Sequence, residues 1–291
     1  MDVKDAFEKF KHRLEISPTE EQDASRRHTE LREYLRSKLD VADDFLTGSY
    51  RRDTKTKPLA DVDVFLVLAD VGEKDDPNDV LMRVHDVLVD KYGESRVETD
   101  RPAVRVDYGP ENAGAEDKVV SMEVVPAFTK GDHHRIADPA TSGWMSTDPK
   151  VHATLATDAN KAFSDEWKPL VKMIKAWNRN QGEPVEPSFL IEVMALKLIR
   201  GEWTGGYPRE IRAFFASAAE QIDESWADPA GLGSPVSDQL HLDPYVLDAA
   251  RTALRDAERQ CGEAIRLEQS SGSGAANEAW QRLFGPLFAK S

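Results

Sequence analysis

Apolar residues recur at helical spacing from the start of the chain. Val3, Phe7, Phe10 and Leu14 stand three or four apart among charged neighbours, which predicts a helix over residues 3–15. Ser17-Pro18-Thr19-Glu20-Glu21 reads as a second helix start with Pro18 as its first helical residue, and apolar spacing carries that helix to about Leu39. Asp43-Asp44 closes the region, and Phe45-Leu46-Thr47 leads into a turn at Gly48-Ser49. The pattern then changes. Asp61-Val62-Asp63-Val64-Phe65-Leu66-Val67-Leu68 is strand-like and mostly apolar; residues 72–78 read as a loop and 79–91 as a helix. Two β-rich runs follow at 103–108 and 118–125, joined by a hairpin-type connection at 109–114, and Pro126 is expected to end the second. From about Asp158 the β signal disappears. Helices are predicted at 167–179, 189–200, 209–222 and 243–268, with a break at 201–208. Residues 270–274 read as a flexible linker before a short helix around 278–283. Strands confined to the first half and helices filling the second predict an α+β fold.

Length changes this picture little: 291 residues suit one large domain or two moderate ones. Charge changes it more. A net charge of −15 argues against life on a long nucleic-acid backbone, where phosphate neutralisation supplies most of the affinity. The one cysteine, Cys261, excludes internal disulfides and cysteine-rich zinc modules, and reads as a small packed residue. His133-His134, adjacent in a polar stretch, read as solvent-facing. No apolar stretch reaches membrane-spanning length, and Met1 leads directly into a charged amphipathic segment, so no membrane association and a cytoplasmic location are expected.

The candidate chemistry sits on the apolar runs. Side chains at i and i+2 of a strand share a face, so Asp61 and Asp63 project together while Val62 and Val64 enter the core. Two carboxylates so close repel unless a divalent cation lies between them. A third on a neighbouring strand completes a two-metal clamp for phosphoryl transfer. Glu123 and Asp107 compete for that place. Glu123 is preferred, because an acid inside a longer apolar strand needs a reason, whereas Asp107 abuts a Gly-Pro turn. Gly48 lets backbone approach a phosphate, and Ser49 can donate its hydroxyl and amide to it. Arg51, Lys55 and Lys57 lie on the basic connector between turn and strand, placed for nucleotide contact. Further on, Lys168, Lys172, Lys175 and Arg179 recur at spacings that line one face of a helix, a stripe suited to a triphosphate tail. Ser188 reads as the N-cap of the next helix.

Four segments resemble, in order, those of the polymerase-β-like nucleotidyltransferases related to oligoadenylate synthase and cyclic-GMP-AMP synthase. They are Thr47-Gly48-Ser49-Tyr50-Arg51-Arg52, Pro58-Leu59-Ala60-Asp61-Val62-Asp63-Val64-Phe65, Met122-Glu123-Val124-Val125-Pro126-Ala127-Phe128 and Leu170-Val171-Lys172-Met173-Ile174-Lys175-Ala176-Trp177-Asn178-Arg179. More narrowly, the chain resembles the bacterial members that make cyclic di- or oligonucleotide second messengers in anti-phage defence. The resemblance implies a polymerase-β-like core with a small mixed sheet, residues 1–160, and a helical nucleotide-binding lobe, 161–291, with a nucleotide cleft between them. It implies that Asp61, Asp63 and Glu123 hold two Mg²⁺ ions, for which Mn²⁺ can substitute, and that Gly48 and Ser49 form the phosphate turn. Lys175 then holds the donor triphosphate with Lys172 in support, Ser188 opens the following helix, and Phe189 stacks on the donor base. Where the family turn often continues with Gly-Thr, this chain has Asp53-Thr54, an extra acid near the site.

The expected activity is the joining of NTPs, ATP first among them, into a cyclic di- or trinucleotide with release of pyrophosphate. A regulatory protein partner is expected to control it. The chain lacks the cysteine-histidine zinc insertion of the animal DNA sensor, so direct activation by DNA is not expected. The alternatives are terminal nucleotide addition to RNA and AMP transfer to a protein side chain, as in toxin–antitoxin nucleotidyltransferases.

Overall fold

The computed structural model describes residues 1–59, 61–108 and 121–288. In chain order the elements begin with helices α1 (Val3–Leu14) and α2 (Pro18–Lys38), strand β1 (Val41–Leu46), the one-turn helix α3 (Gly48–Arg52) and strand β2 (Asp61–Leu68). Helix α4 (Pro77–Tyr92) precedes strands β3 (Val97–Asp100), β4 (Ala103–Asp107), β5 (Ser121–Lys130), β6 (His133–Ala137) and β7 (Trp144–Thr147). Helices α5 (Pro149–Ala162), α6 (Trp167–Asn180), α7 (Phe189–Leu198), α8 (Tyr207–Gln221), α9 (Asp238–His241), α10 (Pro244–Ser271) and α11 (Ser273–Phe284) complete the described chain.

These elements gather into two compact units. One is Ile16–Ala153; the other joins Met1–Glu15 to the chain from Thr154 onward. The sheet of the first unit runs β1-β2-β5-β4-β3, with β6 pairing β5 and β7. Among the described residues β2 and β5 are its parallel pair, and the other pairings are antiparallel. The sheet is therefore mixed, and the fold is α+β. Alternation along β2 divides its two faces. Val62, Val64, Leu66 and Leu68 are buried with Leu31 and Leu35 of α2 and Val80, Val84 and Leu88 of α4. Phe65 and Val67 belong to a smaller cluster with Val125 and Ala127, on the face that Asp61 and Asp63 share.

The sheet is larger than its sequence pattern suggested. Asp43 and Asp44 do not close a helical region but lie within β1. Acids are tolerated in that strand because Asp44 receives Arg32 at 3.0 Å and Arg36 at 2.5 Å from α2. Nor does Pro126 end β5, which continues to Lys130. On that edge the pairing with β4 stops at Val124, and pairing with β6 begins at Ala127. The missing N–H of Pro126 falls in the gap between two partners, where a proline is tolerated. His134 is not simply solvent-facing: on β6 its ring lies 5.2 Å from that of Phe65 and 6.0 Å from that of Phe45. The hairpin-type connection expected at 109–114 and the first residues of the run at 118–125 lie outside the described residues.

In the helical unit, α1 buries Val3, Phe7, Phe10 and Leu14, as its spacing requires. The ring of Phe7 meets Trp280, Phe284 and Phe288 at 5.0–5.9 Å, and each buried phenylalanine contributes about 2–3 kcal/mol. Lys11 and the hydroxyl of Tyr207 both bond Glu166, which ties α1 to α6 and α8. The first fifteen residues thus pack with the C-terminal helices. The pattern of α1 showed which face is apolar, but not which core receives it. Residues 270–274 are not a linker: α10 extends to Ser271, Gly272 alone breaks it at φ +85°, and α11 begins at Ser273. Cys261 is buried in this core, as expected, and burial raises its thiol pKa well above the ordinary range.

Candidate active site

Two neighbouring rungs of the sheet build the acidic centre. In the parallel pair Asp63 stands opposite Glu123 and Asp61 opposite Ser121. Across the other edge of β5, Arg105 stands opposite Glu123 and Asp107 opposite Ser121. Partners in register share a face, so Asp61, Asp63, Glu123, Arg105 and Asp107 all lie on the face away from α2 and α4. Glu98 of β3 pairs with Arg105 and ends the first rung. Asp61, Asp63 and Glu123 are each half-buried, while Val62 and Val64 are fully buried.

Electrostatics mark Glu123 out. Its carboxyl pKa is pushed up to about 7, first by burial, then by the negative charges of Asp63, Asp61 and Asp100, against a partial offset from Arg105. Arg105 and Asp100 did not emerge from the sequence. Their signal is the register of β3 and β4 against β5, and a single strand's alternation does not reveal register.

The turn before β2 is built around Asp63. Gly48 has φ +59°, and a Cβ placed on it would stand 1.5 Å from Oδ2 of Asp63. Only glycine fits there, for both the backbone conformation and the space. The Thr47 amide donates to the Asp63 carbonyl at 2.9 Å, which fixes the turn against the strand. The carbonyl of Ser49 accepts from the amides of Thr54 and Lys55 at 3.0 and 3.2 Å. Asp53 adopts the left-handed conformation at φ +57°, which glycine would take without steric cost. Its carboxylate is matched by Lys55 at 2.7 Å, and that lysine also lies over the Tyr50 ring. Arg51 is exposed, and Lys57 pairs with Glu20 at 3.9 Å.

Divalent-cation chemistry fits this donor set. Three carboxylates share one face, and burial, reinforced by the charges of Asp63 and Asp61, raises the Glu123 carboxyl to about 7. Among the described residues no three His, Cys, Asp or Glu side chains stand close enough together to hold a metal ion.

The other residues singled out in the sequence belong to the helical unit. Lys172 is almost fully buried on α6, its ammonium 2.8 and 2.7 Å from the two carboxylate oxygens of Glu15. Lys175 stands 3.2 Å from the buried carboxylate of Glu192 on α7. The two central cations of the stripe thus carry carboxylate partners within their own unit. Ser188 occupies the N-cap position of α7, but its backbone is already helical and its side chain makes no capping hydrogen bond, so it does not cap as the sequence suggested. It is exposed, and the neighbouring Phe189 is half-buried at the edge of the helical core.

Comparison with known proteins sets this geometry in context. Residues 1–160 match the family model of the Second Messenger Oligonucleotide or Dinucleotide Synthetase domain. A cyclic AMP-AMP-AMP synthase of Acinetobacter is 28% identical over 96% of this chain and 83% of its own length. Among solved structures, Escherichia coli CdnC with ATP superposes with a TM-score of 0.73 at 18% identity, covering 100% of this chain and 99% of that one. The same match holds for its complex with HORMA-deltaN. At that identity the structural likeness is one of fold. No described helix is long and apolar enough to cross a membrane.

Proposed function

Since the chain belongs to the family of second messenger oligonucleotide or dinucleotide synthetases, we propose that it is a nucleotidyltransferase joining NTPs into a cyclic oligonucleotide, with Asp61, Asp63 and Glu123 as its cation-binding carboxylates. The observation that carries this reading is the raised Glu123 carboxyl beside Asp63 and Asp61, on the rung where β2 and β5 run parallel. Asp61, Asp63 and Glu123 would hold a divalent cation, Mg²⁺ or Mn²⁺, which would supply neutralisation of donor phosphates and easier deprotonation of the acceptor hydroxyl.

The chain's own residues do the rest. Gly48 and Ser49 present a turn that admits a phosphate beside Asp63, with Arg51 exposed next to it. Lys175 and Lys172 are assigned to the donor triphosphate. Ser188 and Phe189 take the donor nucleoside. The acceptor ribose hydroxyl forms a new bond to the α-phosphorus, the α–β anhydride breaks, pyrophosphate leaves, and the hydroxyl proton passes to solvent. A second round on the linear intermediate closes the ring. ATP is the proposed substrate and a ring of AMP units the first product to seek, on the precedent of the Acinetobacter relative.

Control by a protein partner follows the precedent of CdnC, solved together with HORMA-deltaN. An anti-phage signalling role in the cytoplasm belongs to the same reading. Incubating purified protein with all four NTPs and Mg²⁺ or Mn²⁺, then phosphatase and mass spectrometry, tests it. A phosphatase-resistant ring is expected, and its loss in an Asp61→Asn/Asp63→Asn protein. Undiminished NTP turnover by that double variant would defeat the assignment.

A further inference from the structure

Glu20 is a buried acid that the chemistry above does not use, yet it holds the segment leading into the catalytic strand. It is the third residue of α2 and fully buried. With Ser17 it closes a capping box: the Ser17 amide donates to Oε2 at 2.7 Å, and the Glu20 amide donates to Ser17 Oγ at 3.2 Å. A capping box uses one side-chain oxygen of its third residue, and glutamine supplies that as well as glutamate. Here the second oxygen is also engaged. Oε1 accepts the amide of Leu59 at 2.8 Å, a bond between residues 39 apart in the chain. Leu59 is itself buried in the core beneath β2 and lies two residues before Asp61. Lys57, from the same segment, stands 3.9 Å from Oε2.

This arrangement needs a carboxylate. Two converging N–H donors require two acceptor oxygens on one side chain; glutamine would turn an NH₂ group towards one of them. Burying a charge is costly unless it is fully bonded, and helix capping alone does not call for it. What the charge adds is the bond to Leu59.

We propose that Glu20 is a positioning residue for Asp61: it fastens the backbone entering β2 to the N-terminus of α2, and so fixes where the first cation-binding carboxylate stands. The proposal rests on the reading that Asp61, Asp63 and Glu123 hold a divalent cation.

The test compares Glu20→Gln with Ser17→Ala in the full-length protein, reading Mn²⁺ affinity by the paramagnetic resonance of free Mn²⁺ and amide exchange of residues 57–63. Ser17→Ala removes the Oγ acceptor of the box and leaves both amide bonds to the Glu20 carboxylate in place. Glu20→Gln is expected to weaken Mn²⁺ binding about 10–100-fold, the range typical when a group supporting a ligand is lost, and to speed exchange at Leu59. Ser17→Ala is expected to keep Mn²⁺ affinity within about twofold of the wild type. Wild-type Mn²⁺ affinity in Glu20→Gln, or an equal loss in Ser17→Ala, overturns the proposal. If Glu20→Gln does not fold, the wild-type protein still decides. Its Leu59 amide should exchange as slowly as those inside β2, and exchange at the rate of an unstructured chain overturns the clamp. Mn²⁺ binding that survives Asp61→Asn/Asp63→Asn marks failure of the cation reading itself, separately from the clamp.

Discussion

Replacing Glu123 by glutamine removes a charge that the metal-free fold carries at a cost. In the folded protein this carboxyl titrates at about 7, against 4.5 for an unperturbed glutamate. Between those values the folded state keeps a proton that the unfolded chain has released. Stability contributed by the protonated group is therefore fully present below about pH 4.5 and is lost as pH rises through about 7. At about 1.4 kcal/mol per pH unit, ionised Glu123 costs the metal-free protein about 3 kcal/mol above neutrality. Glutamine keeps the size of the side chain without the charge. In chelator at about pH 8.5, Glu123→Gln should be more stable than wild type by about 2–3 kcal/mol; at pH 4.5 the two should agree within about 0.5 kcal/mol. Urea unfolding, followed through amide exchange of β2 and β5 peptides, measures both. On the proposed assignment, adding Mn²⁺ should reverse the order at high pH, because the variant lacks one of the three proposed cation-binding carboxylates. A variant no more stable at pH 8.5, or equally stabilised at both pH values, would refute the reasoning, since the gain must track ionisation of one carboxyl.

Gly48→Ala should cost at least about 1–2 kcal/mol for a left-handed alanine, and should also displace Asp63, whose Oδ2 occupies the space of the new methyl group. Product formation should fall to the level of the Asp61→Asn/Asp63→Asn protein. Lys175→Gln should raise the KM for ATP about 10–100-fold, the worth of a hydrogen bond to a charged group, as read from initial rates; an unchanged KM would remove Lys175 from the donor site. Phe7→Ala should destabilise by about 3–5 kcal/mol. Amide exchange should show the loss in α6, α8 and α11, while β2 and β5 stay as protected as in the wild type.

How much of this was legible without coordinates depended on the range of the interaction concerned. The apolar spacing of Val3, Phe7, Phe10 and Leu14, the helix start at Ser17-Pro18 and the alternation around Asp61 and Asp63 are local. Each is decided by neighbours within one helical turn or one strand repeat, and each element appears where its pattern put it. The strand containing Asp43 and Asp44 was hidden, because the cations that neutralise Asp44 come from another helix. The passage of β5 through Pro126 was hidden because it depends on where one neighbouring strand ends and another begins.

The same division runs through the candidate site. That Asp61 and Asp63 share a face is a property of one strand, so the sequence alone determines it. That Glu123 stands opposite Asp63, that Arg105 faces Glu123, that Asp63 fills the space a Cβ on Gly48 would need, and that the carboxylate of Glu20 reaches the amide of Leu59 were decided only by tertiary structure. Each depends on strand register or on one side chain's reach across the fold, and many registers satisfy the same alternation. The choice among them is made by packing the two faces of the sheet simultaneously.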